Sequence, residues 1–363
     1  WEDADAGVSV TASHNPPPDN GLKLWQPSGQ AFDAERQATI ADRVETGEVT
    51  FADWDALGRR KATDVTSRHR EAIVDAVDLD RPLDVVVDVG NGAGGLTPEV
   101  LAALGCDVRT LNAQPDGRFP GRPSEPTAEH CGDLSALVGN SDADLGLAHD
   151  GDADRLLAVD ETGAFVPGDV LLALFARQAT TAGDRVAAPV DTSLLVDDAL
   201  DDQGVTVTRT KVGDVYVAER AAMEDVAFGG EPSGAWIWPD ETLCPDGPLA
   251  ACRLAELVAT EGPLADLVAG IDTYPIRREN ISVAEDEKGE LVDAVASLVA
   301  ERYDAGAVTS LDGVRVETDA GWLLVRASGT QPLIRLTAEA RTEEDVEGLL
   351  AEGEELVGRV ERQ

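Results

Sequence analysis

Leu145–Asp160 reads LGLAHDGDADRLLAVD, and the rest of the chain is best read outward from it. An apolar run, Leu145–Ala148, leads into Asp150-Gly-Asp-Ala-Asp154-Arg155, and Leu156–Val159 closes it with a second apolar run. Two short strands joined by a tight loop satisfy this pattern, with Gly151 easing the turn and the loop at one end of a sheet. Asp150, Asp152 and Asp154 stand at alternate positions and converge if the loop is curved. Converging carboxylates repel one another unless a cation lies among them, and a hard, oxygen-preferring ion such as Mg²⁺ meets that need. A calcium loop does not fit, because Arg155 stands at the sixth position from Asp150, where that loop requires glycine. A solvated acidic turn is the competing reading in a chain this rich in carboxylates.

With 363 residues the chain is too long for one ordinary core, and two to four domains are expected. Lys and Arg number 29 against 70 Asp and Glu, a net charge of −41. Repulsion on that scale is tolerated where salt screens it, so an acidic, lysine-poor surface points to a cytoplasm of high ionic strength. Regular apolar blocks argue against acidic disorder. Nucleic acid is excluded as a partner by the lack of a basic face, and no apolar run of membrane-spanning length is present. Cys106, Cys131, Cys244 and Cys252 form no CxxC pair, which argues against a zinc knuckle or a disulfide framework. A cytoplasmic monomer or homodimer is expected.

Near the start, the strand-like Val8–Ala12 runs into Ser13-His14-Asn15 and three prolines, and Asn20-Gly21 turns the chain toward Lys23. A serine at a strand tip beside histidine is either a modified or nucleophilic hydroxyl or part of a polar loop. Helices are expected over 34–47 and 66–77. Leu83–Val89, a helix from Pro98 and the strand Cys106–Leu111 form a βαβ unit, with 143–148 as a further parallel strand. The glycine cluster 90–95 lacks the GxGxxG spacing and a Walker lysine, so close strand-to-helix packing accounts for it better than a phosphate cradle. In the loop 116–126, Arg118 and Arg122 either anchor the loop or touch an anion. A second α/β unit starts near Asp169, with Lys211 in a turn and Glu231 and Ser233 in a Gly/Pro-rich loop before two tryptophans. A boundary is expected over 270–281. Beyond it, Arg326-Ala-Ser328-Gly329-Thr330-Gln-Pro332, with Arg335, combines guanidiniums, hydroxyls and exposed backbone N–H groups into a phosphate nest.

Taken together, Thr11-Ala-Ser-His-Asn-Pro16, Asp150–Arg155, Gly230-Glu-Pro-Ser-Gly234 and Arg326–Pro332 resemble, in order and along the whole chain, the α-D-phosphohexomutase family. The resemblance implies three related α/β domains, the first incomplete, and a C-terminal α+β domain, at 1–68, 69–168, 169–270 and 271–363. It implies a phosphorylated Ser13 as phosphoryl carrier, Mg²⁺ held by Asp150, Asp152, Asp154 and the serine phosphate, and His14, Lys23 and Arg155 around the transfer. Lys211, Glu231 and Ser233 inherit contacts to the sugar. Arg326, Ser328, Gly329, Thr330 and Arg335 inherit the non-reacting phosphate, and a hexose bisphosphate serves as primer. The loop 229–237 resembles that of archaeal members acting on glucosamine phosphate. Glucosamine 6-phosphate is therefore the expected phosphosugar, with mannose or glucose phosphate as the alternative.

Three departures stand out. Only 12 residues precede Ser13, far fewer than in the family, so an arginine normally supplied there is expected to be missing. Ala235 occupies a place where many members have histidine, and Gln331 replaces the common glutamate. A metal-dependent sugar phosphatase and a non-catalytic phosphosugar binder are the rival functions.

Overall fold

The structure is a computed structural model, and it describes residues 4–328 and 331–360. The chain divides into two compact units, Trp1–Val166 with Ser233–Leu267, and Pro167–Pro232 with Val268–Gln363.

The first unit begins with a hairpin of β1 (Gly7–Val10) and β2 (Leu22–Trp25), then α1 (Ala34–Thr46). Asp33 caps α1 by accepting from the Arg36 N–H, and Gly47 ends it at φ +68°. None of these elements is buried to core level: α1 buries no residue, and Val8 and Val10 are exposed. Next come α2 (Thr66–Ala76), β3 (Asp84–Asp88), α3 (Leu96–Ala103), β4 (Asp107–Leu111), α4 (Gly132–Gly139), β5 (Leu145–His149), β6 (Leu156–Asp160) and β7 (Phe165–Val166). They build a five-stranded sheet in the order β4-β3-β5-β6-β7. β4, β3 and β5 run parallel, whereas β5–β6 and β6–β7 are antiparallel. Every residue of β5 and β6 is buried, so their near-continuous apolar runs reflect cover on both faces.

In the second unit, α5 (Gly168–Ala179), β8 (Arg185–Pro189), α6 (Leu194–Asp201), β9 (Thr206–Thr210), α7 (Asp214–Ala221) and β10 (Val226–Glu231) make a parallel arrangement with β8 between β10 and β9. Glu231, expected in a Gly/Pro-rich loop, instead ends β10, which runs through Gly229 and Gly230. β11 (Ala235–Ile237) returns to the first unit, where Ala235 bridges Arg155, and α8 (Gly247–Glu261) follows. α9 (Leu264–Ala269) then precedes the C-terminal sheet.

That sheet has the order β12-β16-β15-β14-β13, all antiparallel: β12 (Ile276–Ser282), β13 (Val308–Thr309), β14 (Val314–Glu317), β15 (Gly321–Ala327) and β16 (Leu333–Ala340). α10 (Lys288–Arg302) and α11 (Glu343–Val360) cover one face, with Leu291, Val295 and Val299 at helical spacing against the strands. On the other face Trp322 and Leu324 pack with Val190. β12 occupies much of the stretch 270–281 where a boundary is expected. Its charged run, Arg277-Arg278-Glu279, does not alternate with apolar residues because β12 is an edge strand, paired only with β16 and largely exposed.

Candidate active site

The β5–β6 hairpin brings Asp150, Asp152 and Asp154 together, with one carboxylate oxygen from each within 4.8 Å of the others. The loop is pinned from below. The Ala93 N–H donates to Gly151 O at 2.9 Å, and the Gly247 N–H to Ala153 O at 3.2 Å. A Cβ on Gly92 would lie 2.4 Å from Gly151 O, and one on Gly94 would meet the His149 ring at 2.9 Å, so the glycine cluster serves close backbone packing. His149 is fully buried, donates from Nδ1 to Arg155 O at 2.8 Å and accepts from Thr97 Oγ1 at 2.8 Å. Burial holds this imidazole neutral, pushed down to about 4.

Arg122 settles the alternative left open for its loop. Its buried guanidinium pairs with Asp88 at 2.7 Å and donates to the carbonyls of Pro123, Ser124 and His149, so it anchors the loop. Arg118 pairs with Asp116 of the same loop.

Over this base lies the β1–β2 loop. Ser13 adopts φ +50°, and Ala153 in the acidic loop adopts φ +61°. Left-handed geometry in non-glycine residues costs on the order of 1 kcal/mol each and concentrates at functional sites. Ser13 Oγ donates to Asp150 Oδ2 at 3.0 Å, and His14 Nδ1 lies 3.3 Å from Ser13 Oγ. Thr11 Oγ1 accepts from the Ser13 N–H at 2.9 Å and donates to Asp152 Oδ2 at 2.9 Å. Ser124 Oγ donates to Ser13 O at 3.1 Å. Lys23 Nζ bonds both Asp152 Oδ2, at 2.9 Å, and Asp154 Oδ2. Arg155 Nε lies 4.0 Å from Asp150 Oδ2. Polar contacts thus seat the Ser13 loop where the first segment lacks a buried core.

The electrostatics are those of crowded carboxylates. Burial, then the charges of Asp154 and Asp152, push Asp150 up to about 7. Burial also raises Asp154; at Asp152 burial opposes the charge, but Lys23 and the hydrogen bonds with Thr11 and Asp150 together lower it. Burial opposes charge on Lys23, but Asp154 and Asp152 hold the ammonium well above its usual value. Burial and Arg155 together lower His14. Asp152 Oδ1 is buried with no hydrogen-bond partner. An all-oxygen donor set with an orphaned carboxylate oxygen fits a hard divalent cation.

The remaining sequence candidates lie elsewhere. In the second unit, Lys211 Nζ sits 5.5 Å above the Tyr216 ring, and Glu231 Oε1 accepts from the Gly213 N–H at 2.6 Å. Arg326 Nη1 bonds Asp312 Oδ2 at 3.2 Å and Arg335 Nε bonds Asn280 Oδ1 at 3.1 Å. Arg326 and Arg335 are cross-strand partners, and Ser328 Oγ accepts from the Gln331 N–H at 3.2 Å. Gly329 and Thr330 lie outside the described residues. Ser233 opens the first unit's second segment. Sequence reasoning missed Ser124, His149 and Asp312 and gave Thr11 no role of its own. Ser124 carries no local signal, because it acts on Ser13, far along the chain.

A strained serine over a carboxylate loop, on α/β domains followed by an α+β domain, defines an enzyme of the phosphohexomutase class, an isomerase of carbohydrate metabolism. Residues 2–50, 67–163, 167–274 and 279–356 match, in turn, domains I, II and III (alpha/beta/alpha) and the C-terminal domain described for phosphoglucomutase/phosphomannomutase. The chain belongs to the phosphoglucomutase/phosphomannomutase family. It is 44% identical over 344 residues to a probable phosphoglucosamine mutase of Methanothermobacter thermautotrophicus, covering 94% of this chain and 76% of that protein. A probable phosphoglucosamine mutase of Methanopyrus kandleri is 45% identical over 99% of this chain and 80% of its own length. Among solved structures, a phosphoglucomutase/phosphomannomutase family protein of Burkholderia thailandensis superimposes with a TM-score of 0.87 at 28% identity, covering 98% of this chain and 77% of that one.

Proposed function

We propose that the chain interconverts glucosamine 6-phosphate and glucosamine 1-phosphate, with Ser13 carrying the phosphoryl group between turnovers. The observation that carries this reading is Ser13 Oγ at 3.0 Å from Asp150 Oδ2, beside three carboxylates within 4.8 Å of one another. The substrate rests on relatives, 44% and 45% identical, that bear the name phosphoglucosamine mutase. Asp150, Asp152, Asp154 and the phosphate on Ser13 would hold Mg²⁺. Bound there, the ion supplies positive charge against the transferring phosphoryl oxygens.

In the transfer the P–Oγ bond to Ser13 breaks as a bond from phosphorus to a sugar hydroxyl oxygen forms, and the hydroxyl proton replaces the phosphoryl on Ser13 Oγ. The bisphosphosugar then turns over and returns its other phosphoryl to Ser13. For that return Ser13 Oγ gives up its proton to His14 Nδ1, 3.3 Å away, which burial and Arg155 keep neutral, and the sugar oxygen losing the phosphoryl takes up a proton to become a hydroxyl. Lys23, held protonated by Asp154 and Asp152, acts as a fixed cation beside the transfer, with Arg155 as a second. Lys211, Glu231 and Ser233 hold sugar hydroxyls or the amine. Arg326, Ser328, Gly329, Thr330 and Arg335 hold the phosphate that is not reacting, at either end of the sugar in turn.

The test compares kcat/KM for glucosamine, glucose and mannose 1-phosphates in high salt with Mg²⁺ and a trace of the matching bisphosphate. Glucosamine phosphate is expected to lead by about tenfold or more, equivalent to about 1.4 kcal/mol. A lead of that size for glucose or mannose phosphate overturns the substrate and leaves the mutase. Stoichiometric release of inorganic phosphate overturns the mutase itself.

A further inference from the structure

The turn between β13 and β14 carries Asp312 and Gly313, which belong to none of the motifs above. Gly313 has φ +79°, and a Cβ there would lie 2.2 Å from Val325 O and 2.9 Å from Arg326 Cα. Only glycine lets the turn press against β15 at this point. The close approach brings Asp312 Oδ2 to two donors at once, Arg326 Nη1 at 3.2 Å and the Val212 N–H at 3.3 Å. Lys211 immediately precedes Val212, and the next N–H along the chain, that of Gly213, donates to Glu231 Oε1 at 2.6 Å. Within the second unit, hydrogen bonds therefore lead from Glu231, through the backbone of Val212 and Gly213, to Asp312 and on to Arg326.

We infer that Asp312 is a positioning residue that ties Arg326 to the Lys211–Gly213 loop, so that the grip on the sugar and the grip on its phosphate keep one spacing. The inference rests on the substrate-binding roles proposed above. A guanidinium has five donors, and using one of them on a fixed carboxylate orients the fork while leaving other edges to face a phosphate. Ordering the arginine in advance removes part of the rotamer entropy that binding would otherwise cost. The bond to the Val212 N–H does something different: it sets where the sugar-facing loop lies with respect to that fork. A hexose phosphate reaches both grips, whereas inorganic phosphate reaches only one. Loss of Asp312 therefore weakens the hexose phosphate selectively, which a merely structural role would not do.

The experiment is calorimetric titration of glucosamine 6-phosphate, and separately of inorganic phosphate, into the whole chain and its Asp312→Ala and Asp312→Asn variants. For Asp312→Ala the dissociation constant of the hexose phosphate is expected to rise about tenfold, the scale of a lost charge-assisted hydrogen bond, and that of inorganic phosphate by less than about threefold. Asp312→Asn retains an acceptor for the Val212 N–H, loses the ion pair and is expected to fall between. If Asp312→Ala melts too low to titrate, Asp312→Asn carries the same comparison. Equal weakening of both ligands, or of neither, overturns the inference while the unaltered chain still binds hexose phosphate. Failure of the unaltered chain to bind any hexose phosphate overturns the proposed function, and this inference with it.

Discussion

Ser13 Oγ donates to Asp150 Oδ2 across 3.0 Å, although 137 positions separate the two residues in the chain. The bond joins a strained serine to the most deeply buried carboxylate of the acidic loop. Ser13→Ala removes the oxygen that would carry phosphate and leaves Thr11, Lys23 and the distal arginines in place. Turnover is expected to fall by about 10⁴ or more, as for loss of a nucleophile, with hexose phosphate affinity changed less than about threefold. Peptide mass spectrometry after exposure to hexose bisphosphate should place phosphate on Ser13 in the unaltered chain. Phosphate found only at other residues sinks the assignment.

Asp152 presents the orphaned oxygen of the acidic loop, and its second oxygen is shared by Thr11 and Lys23. Asp152→Ala would take a ligand from the proposed cation and takes a partner from both neighbours. The Mg²⁺ concentration for half-maximal rate is expected to rise by about two orders of magnitude, with the phosphate binding proposed for Arg326 unaffected. Titrating Mg²⁺ against both heat and rate checks this, and an unchanged metal requirement removes Asp152 from the site.

How far the chain could be read before folding depended on the range of each interaction. The acidic loop was legible because its strands and its three carboxylates lie within one hairpin, so period and spacing describe it completely. The helices expected over 34–47 and 66–77 match α1 and α2 to within a residue. β12 was not legible, since an exposed edge strand needs no alternation. Ser124 could not be read either, because its partner, Ser13 O, is 111 positions away. Nor could Glu339, a buried carboxylate that bonds Ser193, the Leu194 N–H and the Trp322 indole; nothing in TAEA announces a helix to be capped from another part of the fold.

His69 Nε2 and Asp246 Oδ2 are 2.7 Å apart, and Asp246 also caps α8 through the Leu249 N–H. The hydrogen bond to Asp246 outweighs burial and raises the His69 pKa above its ordinary 6.5. A raised folded value means the folded chain binds the proton more tightly, so the stabilisation is complete below about 6.5 and disappears as pH rises through the folded value. His69→Gln isolates the term without removing the cap. The melting temperature difference between the two chains at fixed salt is expected to be largest at pH 6, where the pair contributes on the order of 1 kcal/mol, and to shrink by pH 9. A difference that grows with pH contradicts the assignment.

Gly151 lies where the Ser13 loop meets the acidic loop, and its missing side chain is what allows the contact. A Cβ there would lie 2.5 Å from Ser13 O, 2.6 Å from Ser124 Oγ and 3.2 Å from the Phe119 ring. Two of these are oxygens already bonded to each other, and Ser13 O is backbone, so no side-chain rotation relieves the crowding. Relief requires the Ser13 loop to lift, which lengthens the bond from Ser13 Oγ to Asp150 and loosens Thr11 from Asp152. Overpacking of this kind costs about 1–3 kcal/mol, but the segment carrying Ser13 has no buried core to unfold. Gly151→Ala is therefore expected to leave the melting temperature within a few degrees and to lower turnover by about 100-fold, the scale of a small displacement of a reacting group. Gly95→Ala is the control, since a Cβ there meets nothing within 4 Å. A melting transition that falls steeply with Gly151→Ala, or turnover that survives it, would show that the two loops are not seated through this contact.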